Sequence, residues 1–158
     1  MTRLLIAAVG AAKNPWLRAA IDDYEGRLTH YFRFEAIEVS AASLPDARAR
    51  EAMDREATAL ERRLPPELEL IALTREGKMW STRQLAEHLG EMADYGRPGA
   101  AFAIGGAHGL GADVLEAARV RLSLSPMTLP HEMARLVLTE QLYRAGTILR
   151  GEPYHKGP

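Results

Sequence analysis

Cysteine is absent from the 158 residues. No disulfide can staple this chain and no thiolate can hold a metal, a usage that fits a reducing compartment. Long apolar runs are missing as well. The N-terminal stretch "MTRLLIAAVGAAKNPW" carries one early positive charge and an apolar run of about seven residues, well short of the roughly 20 a spanning helix needs and weak as a signal peptide. A cytoplasmic protein is expected. Surplus charge of either sign is lacking too, since the formal net charge is −1. The chain therefore has no global basic footprint of the kind that marks nucleic-acid binding, although local patches remain open. Of the 20 cationic residues 17 are Arg, which suits bidentate phosphate contacts; a genome biased toward Arg codons explains the same count.

Several chemical signatures are missing in turn. A dinucleotide site would put G-x-G-x-x-G after the first strand, where the chain reads "VGAAKNPW", and no Gly-Lys-Ser/Thr run marks a P-loop. The run "HEMAR" begins like H-E-x-x-H but has Arg135 where the second metal ligand belongs. The five His are scattered, and His88, inside a predicted helix, reads as a surface residue. Ser123 and Ser125 lack the flanking glycines of a nucleophile elbow.

What is present alternates regularly. "RLLIAAVG" reads as a strand, followed by a helix with Asn14 as N-cap, Pro15 at its first position and Leu17, Ile21, Tyr24, Leu28 and Tyr31 at helical spacing. "FRFEAIEVS" is a second strand. Residues 45–63, rich in Ala, Arg and Glu, form a solvated helix stopped by Pro65 and Pro66. "LELIALT" is a third strand, and Ser81 with Gln84 has the spacing of a capping box at the head of the next helix. "AAFAIGG" is a fourth strand, apolar enough to be buried on both faces. "ADVLEAAR" is a short helix, "VRLSLS" a fifth strand, and residues 131–150 a helix about 30 Å long. The whole pattern is α/β, a mainly parallel sheet with helices on both faces, and residues 1–158 are expected to form one domain.

Two loops and a tail stand out. "IGGAHGLG", residues 104–111, carries four glycines in eight positions at the carboxyl end of the fourth strand, where open sheets bind ligands. Glycines there permit positive φ and close approach of backbone amides to a ligand; a tight structural turn is an equal reading. "LSLSPMTLPHE" holds Pro126 and Pro130, which stiffen a loop able to present amides and carbonyls to an adenine edge, or merely fix the path into the helix. "PYHK" places an aromatic, an imidazole and a cation together in the tail, able to stack on a base, move a proton and touch phosphate; a solvated tail is the alternative. The last helix has two apolar sides. Leu138, Leu142, Ala145 and Leu149 can face the sheet, while Met133, Leu136, Val137 and Tyr143 need cover from the chain or from a second subunit.

The runs "IALTREGKMWS", "FAIGGAHGL", "LSLSPMTLPHEMARLVLTEQLYRA" and "GEPYHK", in this order, resemble the ribosomal RNA large-subunit pseudouridine N3-methyltransferase family over essentially the whole chain. The resemblance implies a SPOUT-class fold with a C-terminal trefoil knot, a homodimer, and S-adenosylmethionine as cofactor. It also implies that Leu73, Gly105, Leu124, Ser125, Pro126, Met127, Thr128 and Leu129 contact that cofactor, largely through backbone groups. Thr74 stands where the family often has an acidic residue. The implied reaction is methyl transfer to N3 of a pseudouridine in large-subunit ribosomal RNA, on the assembled ribosome. Within it His155 is the expected base or proton relay, with Tyr154 positioning the nucleobase and Arg144 or Lys156 holding phosphate. Two rival readings are a non-enzymatic ribosome-associated factor that keeps the fold, and a small-molecule methyltransferase on the same scaffold.

Overall fold

A computed structural model describes residues 1–158. Five strands, β1 (Arg3–Val9), β2 (Arg33–Val39), β3 (Glu69–Met79), β4 (Gly99–Ile104) and β5 (Val120–Ser123), form one parallel sheet in the order β2-β1-β4-β3-β5. Five helices connect or follow them: α1 (Pro15–Leu28), α2 (Ala49–Glu61), α3 (Thr82–Asp94), α4 (Ala112–Ala117) and α5 (His131–Leu149). Local chemistry sets several of their ends. The Asn14 side chain accepts from the backbone N–H groups of Trp16 and Leu17 with Pro15 beginning α1, and Ser81 and Gln84 complete a reciprocal capping box on α3. The predicted helix over 45–63 is instead a 3₁₀ turn at Asp46–Arg48 followed by α2, whose inner face buries Ala52, Ala57 and Leu60.

The sheet separates two layers by the alternation of its side chains. On one face Ile6, Phe102 and Ile71 lie side by side in register and pack with Leu28 of α1, Leu89 of α3 and Leu138 and Leu142 of α5. On the other, the next residues in register are Ala7, Ala103 and Ala72, packed with Ala57, Leu60 and Val114 of α2 and α4. Small side chains bring the second layer close to the strands. Each of the large side chains in the first layer contributes about 1.5–3 kcal/mol by leaving water.

β3 runs five residues past the predicted end at Thr74. Leu122 of β5 pairs with Leu73 and again with Lys78, so residues 74–77 bulge out of the pairing between the two strands. Gly77 lets the strands come this close again, because a Cβ there would stand 2.6 Å from the backbone of Arg121. The two sides of α5 divide as expected, with Leu138, Leu142 and Ala145 fully buried and Met133 and Val137 37% and 36% exposed. Leu149 departs from its stripe and is 46% exposed. Tyr143 is covered from within the chain, by Tyr24, Tyr31 and Tyr154.

Candidate functional site

Where the middle of β3 meets the carboxyl ends of β4 and β5, residues 73–76 and the loops that follow β4 and β5 line a cavity of about 410 Å³. Seven of the eight residues expected at a cofactor line it: Leu73, Gly105, Leu124, Ser125, Met127, Thr128 and Leu129. The eighth, Pro126, does not, and sits exposed at the turn of its loop. That turn is fixed by the Ser125 hydroxyl, which accepts from the Met127 amide at 3.0 Å. Polar backbone and side-chain groups alternate along the walls with the apolar surfaces of Ile104, Leu110 and Leu115. This mixture suits an amphipathic ligand.

The glycines of residues 104–111 answer first to their own loop. A Cβ on Gly105 would lie 2.4 Å from the carbonyl carbon of Gly109 and 2.6 Å from the amide nitrogen of Leu110. Gly106 and Gly109 close the turn, with the Gly109 amide donating to the Gly106 carbonyl at 3.1 Å and Gly109 at a φ of +86°. Gly111 packs on α2, where a Cβ would meet the Met53 carbonyl oxygen at 2.9 Å. Tight turn and ligand wall are therefore one structure. The missing side chains let the loop fold on itself, and its backbone then faces the cavity.

Sequence reasoning missed Arg75 and Glu76, which also line the cavity. Arg75 reaches across to the Thr128 hydroxyl at 2.9 Å and ties β3 to the loop that follows β5. The Thr74 hydroxyl donates to the Glu76 carboxylate at 2.7 Å and so holds the Glu76 carboxyl below its ordinary range. An anionic group thus stands two residues beyond Thr74. Their signal was the run "TREG", which reads as a loop until β3 is known to continue beside β5.

α5 opens on the cavity with His131 and Ala134, and no side chain caps its first turn. Glu132 fixes that end by accepting from the amides of Lys13 and Asn14 at 3.0 and 3.3 Å, contacts that lower its carboxyl pKa. Arg135, the residue that excluded a zinc motif, is 3% exposed and bonds Glu25 and Glu38 at 2.7 Å each. It anchors α5 to α1 and β2. Among all the carboxylates and imidazoles no group of three could hold a metal ion.

Tyr154, His155 and Arg144 form a second cluster, and none of them lines the cavity of their own chain. Arg144 lies over the Tyr154 ring at 4.7 Å, and its Nη1 is 3.5 Å from His155 Nδ1. The Tyr154 hydroxyl donates to Glu140 at 3.1 Å. Burial, with the neighbouring Tyr24 and Glu140, pushes the Tyr154 hydroxyl up and keeps it protonated. Within the tail, Tyr154 and His155 are half-buried against α5, while the residues on either side of them are exposed. Lys156 is exposed. His88, expected at the surface, is half-buried, bonded to Glu69 at 2.6 Å and packed at a tilt against Trp80.

Comparison with known proteins adds family membership. The family model described as "Predicted SPOUT methyltransferase" matches residues 2–155. The chain is 47% identical over 154 residues to a protein of Gemmatimonas aurantiaca named ribosomal RNA large subunit methyltransferase H, covering 98% of this chain and 99% of that one. A protein of the same name from Bacillus pumilus is 39% identical over 155 residues, covering 96% and 98%. A crystal structure of a probable methyltransferase from Bordetella pertussis shares the fold, with a TM-score of 0.57 at 18% identity over 92% of this chain and 95% of that one. The chain belongs to the SPOUT methyltransferase family.

Proposed function

We propose that the chain, acting as one domain over residues 1–158, is an S-adenosylmethionine-dependent methyltransferase that modifies N3 of a pseudouridine in large-subunit ribosomal RNA on the assembled ribosome. The observation that carries this reading is the cavity beside β3 and the ends of β4 and β5, in a chain that matches, over nearly its whole length, relatives named for large-subunit ribosomal RNA methylation. Its chemistry fits the cofactor. Apolar walls suit adenine, backbone amides and carbonyls of the two loops suit its edge and the ribose, and the uncapped start of α5 suits a carboxylate. The bound cofactor supplies a methyl group on a sulfonium, ready for in-line displacement. The chain's task is to hold the nucleobase nitrogen on that line, which supplies much of the acceleration, and to receive the proton that N3 loses.

The tail residues carry that second task in this reading. Since Tyr154, His155 and Arg144 do not face their own cavity, the proposal places them at the cavity of a partner in a homodimer. Uncovered apolar side chains support such a dimer. Trp16 is 80% exposed near the start of α1, whose cap Asn14 bonds Glu132 at the start of α5, and Met133 and Val137 of α5 are also uncovered. His155 then accepts or relays the N3 proton, Tyr154 orients the base and Arg144 or Lys156 meets phosphate. Membership of the SPOUT family supports a knotted C-terminal region in this reading. No helix is long and apolar enough to cross a membrane, and the proposed site of action is the cytoplasm.

Incubation with methyl-labelled S-adenosylmethionine and ribosomes lacking the modification tests the reading. Label recovered in large-subunit RNA, and more from ribosomes than from free RNA, is the expected outcome. Ribosome binding without transfer would favour a non-enzymatic factor, and transfer to small molecules alone would overturn the RNA assignment.

A further inference from the structure

A second hollow, of about 370 Å³, lies along the open edge formed by β3, β5 and the end of α4. Lys78, Arg119 and Arg121 line it together with Trp80, and Glu76 belongs both to this hollow and to the cofactor cavity. The two therefore adjoin at that residue. In a chain whose net charge is −1, three cations around one groove are a local excess, and Glu76 is the single carboxylate that lines it.

The neighbouring contacts leave these cations directed outward. Glu69, whose side chain is 7% exposed, sits beneath the edge and takes His88, Arg97 and Arg119 at 2.6, 3.4 and 3.2 Å. One inward carboxylate is thus shared among three partners, and the Arg119 side chain stays 71% exposed. Arg121 donates from Nε to the Leu115 carbonyl at 3.0 Å, which fixes the guanidinium plane and leaves its terminal nitrogens free. Trp80 is held from behind by His88, with ring centroids 4.7 Å apart, and by the capping box that begins one residue later. A packed indole beside the held Arg121 and the exposed Lys78 and Arg119 presents a stacking surface and phosphate donors together.

We propose that this groove binds the RNA backbone next to the target nucleotide, with Lys78, Arg119 and Arg121 on successive phosphates and Trp80 against a base or ribose. The inference rests on the RNA-methyltransferase reading and gives it a gripping surface that the net charge of the chain conceals. Direct phosphate contact makes binding salt-dependent, with a slope of about 0.7 per neutralised phosphate on a single strand.

The test compares the wild-type protein with the Lys78→Glu, Arg119→Glu double variant and with Lys78→Gln, which leaves the Arg119–Glu69 pair intact. Calorimetry should show S-adenosylmethionine affinity unchanged in both, which also reports folding. The KM for unmodified ribosomes should rise tenfold or more in the double variant and severalfold in Lys78→Gln. Filter binding of large-subunit ribosomal RNA across a salt series should lose about 0.7 of slope for each cation removed. Unchanged KM and unchanged slope in variants that still bind cofactor would overturn the groove. If wild-type protein transfers no label to RNA, the functional reading fails by itself and filter binding still decides. Salt-dependent binding weakened by the variants supports the groove, whereas no binding, or binding that ignores them, overturns it.

Discussion

Replacing Gly105 with alanine is expected to damage the cofactor site through the loop's own backbone. The added Cβ would stand 2.4 and 2.7 Å from the carbonyl carbon and oxygen of Gly109 and 2.6 Å from the Leu110 nitrogen. Carbon contacts settle near about 3.5–4.0 Å, so the loop must open by about 1 Å. Overpacking of this kind costs about 1–3 kcal/mol. For a chain of 158 residues each kcal/mol moves the melting temperature by about 2–4 °C, so a fall of about 2–12 °C is expected. Gly109 and Leu110 also line the cavity. Losing one or two backbone hydrogen bonds to the ligand, at about 1 kcal/mol each, weakens S-adenosylmethionine binding by about fivefold to thirtyfold. Thermal melting of the free protein and calorimetry of the cofactor measure both effects. Gly26→Ala is the control, since nothing lies within 4 Å of that Cβ in α1; the helix should gain about 0.5–1 kcal/mol and cofactor binding should not change. A Gly105→Ala protein that melts and binds like wild type would refute this account of the loop.

Arg135→Met should destabilise the fold by about 3 kcal/mol in urea denaturation, because it strands the Glu25 carboxylate and leaves Glu38 with Arg18 alone. Burial alone raises the Glu38 carboxyl, but its bonds to Arg135 and Arg18 outweigh that and hold it below its usual 4.5. This stabilisation is present above about pH 4.5 and is lost as pH falls through the depressed folded value, so wild type should lose more stability on acidification than Arg135→Met. Light scattering should give about twice the 17.4 kDa chain mass, and Trp16→Glu should shift the protein toward monomer and reduce methyl transfer. Deleting residues 154–158 should spare cofactor affinity while methyl transfer falls by orders of magnitude, and His155→Ala alone should lose about 10²- to 10⁴-fold; near-normal turnover of the truncated protein would remove the tail from the chemistry.

Much of the fold was legible because its determinants are local. Asn14 with Pro15, and Ser81 with Gln84, act within one helical turn, and the apolar run of β4 announces a strand buried on both faces. The cavity was legible from two glycine- and proline-marked loops at strand ends. What stayed hidden depends on long-range placement. Gly77 looks like a loop residue until β5 lies against it, and only then does β3 extend to Met79. Arg135 looked like a failed metal ligand, yet its partners are 110 and 97 residues away in the sequence. The basic groove joins residues near 78 to residues near 120, so no window of sequence shows its charge.

The most direct test of the account is nucleoside mass spectrometry of large-subunit ribosomal RNA after reaction of unmodified ribosomes with the protein and S-adenosylmethionine. The account predicts one new nucleoside, a pseudouridine carrying the methyl on N3, formed at a single site and absent when Tyr154 to Pro158 are removed. Methyl groups on ribose, on an ordinary uridine or nowhere in the RNA would contradict it.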